Sequence, residues 1–79
     1  MTVPGRALLD ARNLLCPMPV VRTQQTVGTL APGVVLDVLC TDPGAREDIP
    51  AWCRINGHEV VAVVDGDGEL TVSLRVGAR

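Results

Sequence analysis

The chain has no phenylalanine, no tyrosine and no lysine, and Trp52 is its only large aromatic side chain. Gripping single-stranded nucleic acid by stacking bases on aromatic rings is therefore excluded. The seven basic residues are all arginines spread along 79 residues with a net charge of −2, so no cationic stripe exists to track a phosphate backbone and no direct nucleic-acid partner is expected. No apolar run approaches the ~18 residues that a membrane-spanning helix needs. The first residues carry neither a basic region before a long apolar run nor a small-residue cleavage site. No membrane partner is expected, and the cytoplasm is the expected compartment. Three cysteines is an odd number, and a reducing compartment keeps thiols free, so a disulfide framework is disfavoured.

What is present is a small Val-, Leu- and Ala-rich chain. A domain of this size buries only somewhat over ~60% of its unfolded surface, so each apolar face must be used. One domain over residues 1–79 is expected. Residues 1–6, with Pro4 and Gly5, read as a frayed lead-in. Ala7 to Ala11 is short and mostly apolar, as a first strand should be, and Asn13 is a natural turn residue before Leu14-Leu15. Val20, Thr23, Val27 and Leu30 then recur at spacings of three and four, with Arg22, Gln25 and Thr29 on the other side. This pattern predicts a helix from about Pro17 to about Leu30. Pro32-Gly33 stops it, and Val34 to Cys40 is a strand-like run.

Strand, helix and strand in succession imply two parallel strands if they share a sheet. The start of the first helix and the end of the second strand then lie at the same edge, beside Thr41-Asp42-Pro43. The next segment predicts either a turn at 43–47 followed by a helix capped by Asp48, or one kinked helix containing Pro50. Either way it ends at Asn56-Gly57 and buries Ile49, Trp52, Cys53 and Ile55 or a subset of them. His58 to Val64 and Glu69 to Val76 are strand-like, and Asp65-Gly66-Asp67-Gly68 between them is a hairpin signal. The predicted fold is an α/β (α+β) two-layer sandwich of order βαβαββ, a four-stranded mixed sheet with two helices on one face.

Cys16-Pro17-Met18-Pro19 stands at the junction of the first strand and first helix. Proline is tolerated in the first turn of a helix, where N–H groups have no intrahelical partner, so Pro17 and Pro19 can open this one and Cys16 is its expected N-cap. The remaining donors near the sulfur would be the N–H groups of Met18, Val20 and Val21. With the positive end of the helix dipole they would favour a thiolate and a lowered pKa at Cys16.

These residues carry a resemblance. Leu9-Asp10-Ala11, Leu14-x-Cys16-Pro17-x-Pro19-Val20, Pro32-Gly33, Asp42-Pro43, Asp48-Ile49-Pro50-x-Trp52-Cys53 and Gly57-His58-Glu59 are similar, in order and spacing, to the TusA/SirA-like family of small sulfur carriers. The resemblance implies the same βαβαββ fold. It also implies that Cys16 accepts sulfane sulfur as a persulfide from a protein donor, a cysteine desulfurase or rhodanese-like protein, and relays it to an acceptor protein. Leu15 and Met18 stand where many members carry arginine and glutamate, and Gln24 and Gln25 where bases are common, leaving Arg22 as the nearest cation.

Cys16 is thus the catalytic candidate, with Pro17, Met18, Pro19, Val20 and Val21 as the supporting helix start and Cys40, Asp42 and Arg22 as secondary candidates. Cys40 could act as a resolving thiol or simply fill the core, Cys53 reads as core, and Asp42 reads as a cap for the second helix more than as a site residue. His58 reads as a strand-start residue near the surface. No Cys-x-x-Cys pair supports a zinc site, Asp65 and Asp67 lack the later ligands of a calcium loop, and no cofactor is implied. A monomer is expected outside complexes. Two rival readings are a docking module that uses Leu15, Met18 and Val21, and a redox switch between Cys16 and Cys40.

Overall fold

In the computed structural model, which describes residues 5–77, four strands and two helices follow one another as β1 (Arg6–Ala11), α1 (Met18–Val27), β2 (Val35–Cys40), α2 (Ala45–Asn56), β3 (Glu59–Gly66) and β4 (Glu69–Arg75). The sheet order is β1-β2-β4-β3. β1 runs parallel to β2, and both neighbours of β4 are antiparallel to it. This is the predicted mixed sheet. Alternation along the strands turns Leu9, Ala11, Leu36, Val38, Cys40, Leu70, Val72 and Leu74 to one face, where Val27 of α1 and Ala45, Ile49 and Cys53 of α2 close the core. The opposite face is mixed: Asp37, in the middle of β2, accepts hydrogen bonds from Arg6 of β1 and Ser73 of β4.

Several boundaries differ from the sequence reading, each for a local reason. Arg6 is the first residue of β1, where it pairs with Val35 across the ladder and its guanidinium grips Asp37, so it belongs to the sheet and not to the expected lead-in; residues 1–4 of that lead-in lie outside the described residues. α1 has Pro17 as its N-cap, not Cys16, and its first helical residue is Met18. It ends at Val27, with Gly28 as C-cap, and Thr29 and Leu30 then form a tighter turn by donating to the Thr26 and Val27 carbonyls.

α2 is one continuous helix capped at Gly44, so the separate helix starting at Asp48 does not form. Pro50 removes one donor from it, and the burial of Ile49 and Cys53 on either side of that gap keeps the helix in place. Gly57 ends it in the left-handed conformation, φ 79°, which glycine adopts without a side-chain clash. Ile55 points away from the core and is 84% exposed. β3 runs further toward the hairpin than expected, to Gly66, which pairs with Glu69 at the expected start of β4, so that only Asp67-Gly68 connects the two strands. An irregularity between Val60 and Ala62 leaves Val61 exposed. His58 is buried rather than superficial: its ring stacks on Trp52, 5.0 Å between centroids, and its Nδ1 accepts the Gly77 N–H at 3.0 Å.

Candidate functional site

The parallel register sets Ala11 beside Cys40, so β1 and β2 end together and the loops that follow them emerge side by side. Asn13 takes a positive φ of 66°, the left-handed turn that swings the chain from β1 toward α1. Two hydrogen bonds then fasten this loop to the one after β2: the Asn13 N–H donates to Thr41 Oγ1 at 2.8 Å, and the Cys16 N–H donates to Asp42 Oδ2 at 3.0 Å. The Cys16–Pro17 peptide is cis. Leu15, Cys16 and Met18 face outward from this junction, with Leu15 76% and Met18 40% exposed.

The electrostatics differ from the expectation. Of the three N–H groups assigned to the sulfur, that of Met18 donates to the Leu15 carbonyl and that of Val21 to the Pro17 carbonyl, which leaves Val20. The thiol itself donates to a carboxylate, with Sγ 3.4 Å from Asp48 Oδ2. The Cys16 pKa consequently lies above, not below, the ordinary thiol value. The hydrogen bond to Asp48 is the largest cause, followed by partial desolvation and the negative charges of Asp48 and Asp42. A helix terminus offers the equivalent of about half a positive charge spread over its free donors, and here two of three are occupied. A full negative charge in hydrogen-bond contact outweighs it. Asp48 is the residue that sequence reasoning missed. The sequence marked it as a possible helix cap and as the first residue of the Asp48-Ile49-Pro50-x-Trp52-Cys53 motif, and neither signal points to the thiol; its place near the start of α2, at the edge of the sheet from which α1 also starts, is what does.

Asp42 serves the loop rather than the helix. One oxygen holds Cys16, the other lies 3.4 Å from the Gly44 N–H, and α2 receives no side-chain cap. Arg22 is exposed on α1 and makes no ion pair among the described residues. Cys40 and Cys53 are fully buried, and burial pushes both thiols up to about 11. Cys40 lies under a shallow cleft of about 260 Å³ that Asp42, Pro43, Arg46 and Asp65 help to line, and Arg46 closes its rim by pairing with Asp65. No group of three or more histidine, cysteine or acidic side chains converges as a metal site among the described residues.

Residues 7–76 match the family model described as Sulfurtransferase TusA. The chain belongs to the TusA family. Sulfur carrier protein TusA of Pseudomonas paraeruginosa is 51% identical over 61 residues, 77% of each chain. The putative sulfur carrier protein YrkI of Bacillus subtilis is 43% identical over 58 residues, 73% of this chain and 77% of its own length. Among solved structures, a SirA-like protein from Desulfitobacterium hafniense superimposes with a TM-score of 0.80 over 91% of this chain and 99% of its own, at 23% identity. That likeness carries the fold: the TusA-family chain and its SirA-like neighbour share the two-layer arrangement that brings Cys16 to the sheet edge.

Proposed function

We propose that this chain is a sulfur carrier that takes sulfane sulfur onto Cys16 as a persulfide and hands it to the cysteine of an acceptor protein. The observation that carries the reading is the exposure of Cys16 alone among three cysteines, at a junction tethered by Asp42, in a chain of the TusA family. Sulfane sulfur passes between proteins in the geometry of thiol–disulfide exchange. The Cys16 sulfur attacks the terminal sulfur of the donor's persulfide, and the donor cysteine leaves with the bonding pair. Only an exposed sulfur at the rim of a small domain can meet a sulfur that another protein presents. The apolar rim of Leu15 and Met18 gives such a partner a dry contact around the thiol.

The proposed donor is a cysteine desulfurase or a rhodanese-like protein, the acceptor is a second protein, and the setting is the cytoplasm. No helix among the described residues is long and apolar enough to cross a membrane. The burial of Cys40 argues against a Cys16–Cys40 redox switch, since a resolving thiol must be reached.

The test is to incubate the protein with a cysteine desulfurase and cysteine and to record intact mass. One added sulfur is expected, removable by reductant and absent in Cys16→Ser. Failure of Cys16 to load under conditions that load a known carrier would refute the reading.

A further inference from the structure

Of the nine carboxylate side chains, Asp10, Asp37, Glu59, Asp65 and Glu69 are ion-paired with arginines. Asp42 and Asp48 make no ion pair among the described residues, and these are the two charged groups that act on Cys16. They approach it from the two elements packed against it: Asp42 from the loop after β2, holding the backbone N–H, and Asp48 from α2, accepting the Sγ–H. An anionic acceptor in contact with a thiol stabilises the protonated sulfur and repels a charged one. A persulfide is a stronger acid than the thiol it is made from, so at neutral pH the empty carrier presents a neutral S–H and the loaded carrier an anion. Loading therefore replaces a favourable contact with an unfavourable one.

We propose that Asp48 sets the poise of this carrier toward giving sulfur up, by holding the empty thiol and repelling the persulfide anion. The inference rests on Cys16 being the sulfur-bearing residue. The exchange with glutathione persulfide balances without any other reactant. The Cys16 sulfur bonds to the terminal sulfur as the glutathione S–S bond breaks. The departing glutathione sulfur keeps the bonding pair and takes up the proton released by the Cys16 thiol, so the negative charge ends on the Cys16 persulfide. Cys16 is oxidised to the persulfide level and glutathione is reduced to the thiol. Because the fold holds the Asp48 carboxylate against the Cys16 sulfur, while the carboxylates of flexible, solvated glutathione are not held against theirs and are screened, the equilibrium lies toward glutathione persulfide and the empty carrier.

The experiment equilibrates the whole protein with glutathione persulfide and glutathione at neutral pH and reads the loaded fraction of Cys16 by intact mass. The wild-type exchange constant should lie below one. Asp48→Asn, which keeps the shape and loses the charge, should raise it by about two- to fivefold, the size of a solvent-screened charge interaction. Asp48→Glu should stay near the wild-type value. A wild-type constant at or above one overturns the inference without recourse to any variant. Equal constants for wild type and Asp48→Asn, with Cys16 loading in both, overturn it while leaving the carrier reading intact. Absence of loading from glutathione persulfide in all three proteins, Asp48→Asn included, while a cysteine desulfurase loads them, overturns the inference alone; absence of loading from the desulfurase as well removes the carrier reading, and the poise with it.

Discussion

Cys16 and Asp48, 32 residues apart in the chain, meet where the two helices begin: the thiol donates to Asp48 Oδ2 at 3.4 Å, although each residue follows a different strand of the sheet. The contact reverses the usual expectation for a cysteine at a helix start. The sulfur rests as a thiol.

The first prediction concerns the pH profile of that thiol. Its pKa lies above the ordinary value, so the thiolate, and with it the rate of alkylation by iodoacetamide, should emerge at higher pH than for an unstructured cysteine peptide. Removing the charge with Asp48→Asn should move the profile to lower pH and raise the rate near neutrality by about two- to fivefold. A wild-type profile below that of the peptide would show that the helix terminus dominates after all.

Native thiol counting follows from burial. Cys40 and Cys53 are fully buried, with pKa values pushed up to about 11, whereas Cys16 is exposed. Brief treatment of the folded protein should add one alkyl group per chain, at Cys16, and treatment in denaturant should add three. Two rapid additions under native conditions would contradict the packing of β2 or α2.

Asp10 gives a test in a different range of pH. The Arg12 side chain, which binds both Asp10 oxygens, and the Arg12 backbone N–H hold its carboxyl at about 2. A depressed carboxylate favours the folded state above its unfolded pKa of about 3.9, and that contribution is lost as pH falls through the folded value. The carboxyl carbon shift of Asp10, followed by NMR, should titrate near 2 in the wild type and move up toward the ordinary carboxylate range in Arg12→Ala. An unmoved midpoint would mean that the ion pair does not persist in solution.

The two isoleucines of α2 should separate cleanly in thermal or urea unfolding. Ile49 is fully buried and Ile55 is 84% exposed. Ile49→Ala should cost about 2–5 kcal/mol from lost burial and the cavity left behind, whereas Ile55→Ala should stay within about 0.5 kcal/mol of wild type. Similar losses at both positions would mean that the helix is rotated about its axis.

Sequence periodicity carried the element order, and the reason is visible in the finished fold. Thr23 and Val27, four residues apart, face the core because an α-helix returns every 3.6 residues, and Leu36, Val38 and Cys40 share a face because a strand alternates. The Asn56-Gly57 helix stop and the Asp-Gly hairpin were legible because they depend on backbone conformations few residues adopt. Even the nearness of Cys16 to Asp42 followed from a crossover between parallel strands, a topological rule rather than a contact.

Three features escaped local pattern. Ile55 is as apolar as Ile49 and lies on the same helix, but which of the two is buried depends on how α2 is rotated over β3 and β4. His58 is polar, yet the ring of Trp52 and the N–H of Gly77 give it a buried site assembled from distant parts of the chain. Above all, the state of the Cys16 sulfur was decided by Asp48. The sequence by itself determined that a thiol stands at a helix start and which family the fold belongs to, because those depend on local grammar and ordered motifs. Only the tertiary structure decided the charge that thiol meets, because electrostatic energy depends on distance in space, and the 3.4 Å from Sγ to Asp48 is a distance no spacing along the chain encodes.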